Sequence, residues 1–217
     1  MAVEIKFCGL TRAADAEYAA SLGAAYVGVI FAESPRRVDP GAATGVLAGV
    51  RGRASTVGVF GPATVETIAT IASGLGLDVV QLHGDPSPGV VERVRPTFGG
   101  AVWAVVRIAD GALPDSVAEL LTVADAVVLD AKVPGQLGGT GQSFDWDAIA
   151  QTLDRRRARA RLVLAGGLSP ENVADAVRII GPDVVDVSSG VESAPGIKDH
   201  ARMRAFRDAV RADEETR

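Results

Sequence analysis

The sequence predicts an α/β protein folded as a single (βα)8 barrel with parallel strands. Three observations predict it. Eight short Val/Ile/Leu-rich runs recur along the chain, with helix-like stretches in many of the gaps. Most runs are apolar at consecutive positions, the mark of strands covered on both faces. The 217 residues suffice for one such barrel with little inserted material, since the architecture typically takes about 250 and as few as roughly 200. No linker or low-complexity tract divides the chain, so residues 1–217 read as one domain.

The strands are expected at Val3–Phe7, Tyr26–Phe31, Thr56–Phe60, Asp78–Leu82, Ala101–Val106, Ala126–Leu129, Leu162–Leu164 and Val184–Val187. After the first, Thr11 is the expected N-cap of a helix and Gly23 its C′ residue. After the second, Asp39-Pro40 places a cap before a proline at the first helical position. After the third, Pro62 is expected to start a helix with Val65, Ile68 and Ile71 on one face. A fifth helix is expected over Leu113–Thr122 and a sixth over Trp146–Leu153. After the seventh strand, Ser169-Pro170 opens a helix whose Val173, Ala176, Val177 and Ile180 share a face, and Gly181-Pro182 ends it. The last helix carries Met203, Phe206 and Val210 at helical spacing.

Composition narrows the function. The net charge of −5 argues against nucleic acid as a partner, because phosphate backbones select basic surfaces. The single cysteine cannot form an intramolecular disulfide, which makes a reducing cytoplasm the expected compartment. The N-terminus lacks the basic and apolar segments of a signal peptide. No run approaches the ~18 apolar residues of a membrane span, so no membrane partner is expected. The chain is expected to act as a monomer, a homodimer being the alternative.

Parallel strands put all their C-termini at one mouth, so the residues that end strands are the candidates for chemistry. Cys8 falls where the first strand gives way to a loop. It is either a buried inert cysteine, which local sequence favours, or a thiolate base that needs its pKa lowered, with Lys6 two residues earlier on the same face. Asp130 directly follows Val127-Val128-Leu129 and is either a turn cap or an acid facing the mouth, where proton donation near neutrality requires a raised pKa. Arg36 and Arg37 lie after the second strand, and one guanidinium could clamp a carboxylate or phosphate. His83 follows the fourth strand as a ligand contact or loop hydrogen bonder, and Asp186 precedes the last turn. His200 reads as surface helix.

Gly138-Gly139-Thr140-Gly141, Gly166-Gly167 and Ser188-Ser189-Gly190 follow strands six, seven and eight. In barrels the late loops bind phosphate through converging backbone N–H groups. Three such turns together point to a phosphorylated ligand. With two histidines and no Cys/His cluster at zinc-ligand spacing, no metal is expected. Neither a nucleophile elbow nor a dinucleotide fingerprint is present, so serine hydrolysis and nicotinamide chemistry are not expected.

Together the motifs resemble the phosphoribosylanthranilate isomerase family. The segments are KFCGLT at 6–11, GVIFAESPRRV at 28–38, VQLHG at 80–84, VVLDAK at 127–132, GGTGQSFDW at 138–146, LAGGLSPENV at 164–173 and DVSSGVESAPGIKD at 186–199. They run in order along nearly the whole chain. The resemblance implies a TIM barrel that needs no metal or organic cofactor. It implies a small-molecule phosphosugar substrate, N-(5-phosphoribosyl)anthranilate, rearranged in tryptophan biosynthesis to 1-(2-carboxyphenylamino)-1-deoxyribulose 5-phosphate. It implies Asp130 as general acid and Cys8 as general base, Arg36 near the anthranilate carboxylate and Asp186 near the substrate amine. Gly141, Gly166, Gly167, Ser189 and Gly190 would hold the phosphate. Many relatives carry Lys where this chain has Gln142. The glycine-rich segment 131–144 is expected to order over substrate. The alternatives are a histidine-pathway isomerase doing the same type of rearrangement, a metal-dependent pentose-phosphate epimerase, and a phosphate-binding barrel without chemistry.

Overall fold

The computed structural model describes residues 2–108, 113–114, 116–131, 146, 149–150 and 160–214. Eight parallel strands close a barrel in sequence order. They are β1 (Glu4–Phe7), β2 (Tyr26–Ile30), β3 (Ser55–Phe60), β4 (Val79–Leu82), β5 (Ala101–Ile108), β6 (Ala126–Ala131), β7 (Arg161–Ala165) and β8 (Val184–Val187). Closure is direct, with Lys6 of β1 paired in register with Asp186 of β8 and Phe7 with Val187.

Continuous apolarity in the strands resolves into two cores. Val57, Val79, Trp103, Val105, Ala126, Val128, Val163, Ala165 and Val184 form one cluster, filling the barrel. The alternate positions, among them Ile5, Phe7, Val27, Val80, Val127, Leu164 and Val185, join the helices in a larger outer cluster. A two-residue strand period therefore serves two apolar faces at once.

The barrel's N-terminal rim carries a repeated device. Asp78, Asp125 and Asp183 each sit just before an even-numbered strand. Their side chains accept the backbone N–H of Thr56, Val102 and Leu162, at or near the start of the preceding strand, each at 2.7 Å. The three carboxylates pin β3 to β4, β5 to β6 and β7 to β8, away from the mouth.

The helices are α1 (Ala13–Ser21), α2 (Pro40–Leu47), α3 (Val65–Leu75), α4 (Pro88–Val94), α5 (Val117–Val123), α6 (Val173–Ile180) and α7 (His200–Glu214). Asp39 caps α2 as expected, its Oδ1 accepting Ala42 N–H at 2.9 Å. Gly23 stands in the left-handed region after α1, at φ 78°. Several expectations are corrected. Thr11 does not cap α1. Its hydroxyl donates to Gly196 O at 2.6 Å, and Arg12 takes the N-cap position. Thr64 rather than Pro62 sets the start of α3, because its hydroxyl accepts Thr67 N–H at 3.2 Å. Ser169-Pro170 makes a hydrogen-bonded turn ahead of α6, with Ser169 O accepting Val173 N–H at 3.1 Å. The fifth helix starts four residues later than Leu113, at Val117. Helix α4, for which the sequence predicts no bounds, opens at Ser87-Pro88, a cap-and-proline pair like that of α2, although the Ser87 side chain makes no capping hydrogen bond. Of the expected sixth helix, Trp146, Ile149 and Ala150 are helical, and the rest lies outside the described residues, as do 132–145.

Helix α7 seals the barrel's joint. Met203, Phe206 and Val210 are fully buried, and Phe206 meets Phe7 of β1 edge-on at 6.2 Å. A short hairpin, β9 (Glu192–Ala194) with β10 (Ile197–Lys198), precedes α7 and was not foreseen.

Candidate active site

The mouth is built from the residues that end the strands. On β1, Ile5 and Phe7 point into the outer core, which sends Lys6 and Cys8 to the other face. Cys8 continues the ladder past the strand, its N–H donating to Val187 O at 2.9 Å. Lys6 is fully buried and its Nζ lies 2.6 Å from Asp186 Oδ2. Gly28 on β2 leaves room for both side chains. A Cβ there would stand 3.0 Å from Cys8 Sγ and 3.3 Å from Lys6 Cε.

Burial pushes the Cys8 thiol up from its ordinary value. The Lys6 ammonium, through charge and hydrogen bonding, opposes this, as does Lys198, while Asp186 adds to it. Burial works against the Lys6 ammonium too, yet Asp186 and Cys8 outweigh it and hold Lys6 protonated. Lys6, Cys8 and Asp186 thus form one electrostatic unit, and the fold closes it by pairing the first strand with the last.

Across the mouth, Asp130 is the next-to-last residue of β6, which runs past the expected Leu129 to Ala131, and it lies between Arg107 of β5 and Ala165 of β7 in the ladder. Burial raises its pKa. The carboxylates of Asp186 and Asp85 add to the rise, and His83 and Arg107 oppose it. His83 follows β4, its backbone N–H bonded to Phe60 O at 2.7 Å. Burial lowers its pKa, helped by the charges of Arg107 and Lys6 against Asp130 and Asp85. The pair therefore carries a carboxyl biased towards its protonated form and an imidazole biased towards its neutral form. Arg107 is held by Asp85, whose Oδ1 accepts its backbone N–H at 2.8 Å.

The turns after β7 and β8 meet. Gly166 and Gly167 adopt φ of 86° and 66°, a region open to glycine. Ser189–Val191 forms one 3₁₀ turn after β8. A Cβ on Gly190 would fall inside van der Waals contact of the Leu168 carbonyl, so only glycine lets the two turns touch. Gly141 and Gln142 lie outside the described residues.

Arg36 turns inward from the loop after β2, while Arg37 is exposed. Its chain runs over Gly9, where a Cβ would stand 2.6 Å from Arg36 Cδ. Its Nε and Nη2 donate to Glu192 Oε1 and Oε2 at 2.8 and 2.7 Å. Glu192 also accepts from Lys198 Nζ at 2.8 Å, and the same Nζ donates to Ser188 O at 3.0 Å. His200 lies exposed as expected, but it is anchored rather than loose, bonding Asp15 Oδ1 at 3.0 Å and stacking on Tyr18.

Three buried polar atoms around the mouth have no hydrogen-bond partner among the described residues: Asp186 Oδ1, Ser188 Oγ and Gln81 Oε1. Such atoms are uncommon in native folds and mark where a polar ligand would complete the bonding. Among the described residues no group of three or more His, Cys, Asp or Glu is arranged to hold a metal ion. The same residues contain no helix long and apolar enough to cross a membrane.

The structure thus brings Cys8, Arg36, His83, Asp130, Asp186 and the two late turns to one mouth. Sequence reasoning missed Gln81, Arg107, Glu192 and Lys198. The signal for the first two was a polar residue on the inward parity of an otherwise apolar strand. Nothing local marked the last two.

Residues 5–209 match the family model described as N-(5'phosphoribosyl)anthranilate (PRA) isomerase. The N-(5'-phosphoribosyl)anthranilate isomerase of Paramagnetospirillum magneticum is 43% identical over 215 residues, which span 97% of this chain and 98% of the relative. The crystal structure of phosphoribosyl anthranilate isomerase from Thermotoga maritima matches with a TM-score of 0.85 at 34% identity, covering 97% of this chain and 99% of that one. A phosphoribosyl anthranilate isomerase solved in complex with reduced 1-(o-carboxyphenylamino)-1-deoxyribulose 5-phosphate matches at 0.81 and 32%, with coverage of 97% and 99%.

Proposed function

The chain belongs to the N-(5'-phosphoribosyl)anthranilate isomerase family of tryptophan biosynthesis, and from that premise we propose that its mouth performs an Amadori rearrangement with Asp130 as general acid and Cys8 as general base. The observation that carries this reading is the opposed placement of the two groups. Asp130 lies at the C-terminal end of β6 with a raised pKa, and Cys8 directly follows β1 beside the Lys6 ammonium, three strands away around the closed barrel.

The chemistry follows the atoms. Asp130 gives its proton to the furanose ring oxygen. The amine nitrogen's lone pair forms a C1=N bond as the C1–O bond breaks, leaving a protonated Schiff base. Cys8 thiolate then removes the proton from C2, and that electron pair neutralises the nitrogen to give an enolamine. The enolamine ketonises by gaining a proton at C1 and losing one from the C2 hydroxyl, and the two side chains regain their starting protonation through solvent. Acid and base catalysts of this kind each contribute typically about 10²–10⁴-fold.

The remaining residues bind and orient. Arg36 takes the anthranilate carboxylate. Asp186, whose Oδ1 has no partner among the described residues, takes the substrate amine. Gly166, Gly167, Ser189 and Gly190 present backbone N–H groups to the phosphate, and Gly141 is assigned to the same phosphate. His83 contacts the substrate beside Asp130 and, being biased to neutrality, leaves the acid its proton. No metal or organic cofactor enters this scheme, and the cytoplasm is its proposed setting.

The test is turnover of N-(5-phosphoribosyl)anthranilate, followed by loss of fluorescence without added metal. Cys8→Ala and Asp130→Asn should each lower kcat by about 10²-fold or more while circular dichroism stays unchanged. A near-normal rate in either variant removes that residue from its role.

A further inference from the structure

We infer that Glu192 is a positioning residue that pre-sets Arg36 for a planar carboxylate, through a hydrogen-bonded chain that also ties Arg36 to the turn after β8. The inference rests on the reading of Arg36 as the anthranilate-carboxylate site.

A guanidinium offers a side-on edge of Nε and one Nη, and an end-on edge of both Nη groups. Glu192 takes the side-on edge with two parallel bonds at 2.8 and 2.7 Å. The end-on edge, carrying one N–H of Nη1 and the second N–H of Nη2, is not engaged by Glu192. It is the geometry for one further carboxylate held in the guanidinium plane. The arginine's side chain is one-fifth exposed and that of Glu192 one-twentieth, so the pair is anchored inside and open on one side.

Glu192 is fixed in turn. Lys198, with no exposed side-chain surface, donates to Glu192 Oε1 at 2.8 Å and to Ser188 O at 3.0 Å. The Ser188 carbonyl opens the turn that carries Ser189 and Gly190. One buried ammonium therefore ties the carboxylate that holds the arginine to the turn that carries Ser189 and Gly190. The hairpin of β9 and β10 supplies both Glu192 and Lys198, which gives that small element a task in binding.

The sign of the effect separates this from plain electrostatics. A carboxylate beside Arg36 repels an incoming carboxylate, so charge alone predicts tighter binding when Glu192 is neutralised. Positioning predicts weaker binding, because the arginine must then be ordered by the ligand.

The experiment uses two stable secondary amines made by reductive amination of ribose 5-phosphate, one with anthranilate and one with aniline. They differ only in the ortho-carboxylate. Calorimetry gives Kd for each with the full chain, with Arg36→Met and with Glu192→Gln. The native chain should prefer the carboxylated amine, and Arg36→Met should lose that preference. Glu192→Gln should weaken the carboxylated amine by roughly three- to tenfold and shift the aniline amine by less than about twofold, the cost of ordering one arginine. Equal weakening of both amines, no change in either, or tighter binding of the carboxylated one overturns the positioning role while leaving Arg36 in place. A preference that survives Arg36→Met, or is missing from the native chain, overturns the reading of Arg36 itself. Should Glu192→Gln fail to fold by circular dichroism, Glu192→Asp replaces it. It keeps the charge, withdraws the carboxylate by one methylene, and should show the same selective loss.

Discussion

Asp130 and Cys8 illustrate how burial sets the terms for proton transfer. Both pKa values are raised, and burial is the largest cause of each. A raised carboxyl keeps its proton to higher pH, which suits an acid. A raised thiol is scarcely ionised near neutrality, but it is a stronger base once ionised, and the cationic Schiff base would favour the thiolate. The active form needs Asp130 protonated and Cys8 ionised together. That form peaks between the two pKa values and declines outside them. We expect kcat/KM against pH to be bell-shaped. The acid limb should lie above the ordinary carboxylate range and the alkaline limb above the ordinary thiol range. A profile with no acid limb, or with an alkaline limb below the ordinary thiol range, contradicts the assignment. Both residues were legible in the sequence because each directly ends an apolar run. Their roles were not, since the same positions suit a buried thiol and a turn cap.

At the scale of elements, the last two βα turns are legible as glycine signals, and the structure shows why one glycine is obligatory. Gly190 packs against the Leu168 carbonyl from the neighbouring turn. Gly190→Ala must push the turns apart, since the opposing atom is backbone and cannot rotate away. We expect a loss of about 1–3 kcal/mol or more from this overpacking, read by urea unfolding, with weaker affinity for any phosphorylated ligand. Ordinary stability together with ordinary affinity would mean that the turns separate freely. Helix signals behaved unevenly for a related reason. Asp39-Pro40 marks α2 because the cap and its partner are three residues apart, a local event. Thr11 carries the same composition, yet its hydroxyl is claimed by Gly196 across 185 residues, and no window of sequence reveals that competitor.

For the molecule as a whole, closure is the organising fact. β1 pairs with β8, and α7 packs Phe206 on Phe7 across the joint. Isolated sheet edges are thereby removed within one chain. We propose a monomer. Light scattering should give a mass near the 22.3 kDa of one chain, and a mass twice that would assign the chain to dimers.

Legible along the chain alone were the alternation of strand and helix, the continuous apolarity that calls for two cores, and the placing of Cys8 and Asp130 at the mouth ends of β1 and β6. These follow from periods and caps spanning a few residues, where local sterics and hydrogen bonding decide. It took the folded barrel to bring Lys6 to Asp186 across 180 positions and Arg36 to Glu192 across 156. Such pairs depend on the register at which the barrel closes, and that register is set by the summed packing of both cores rather than by any one segment.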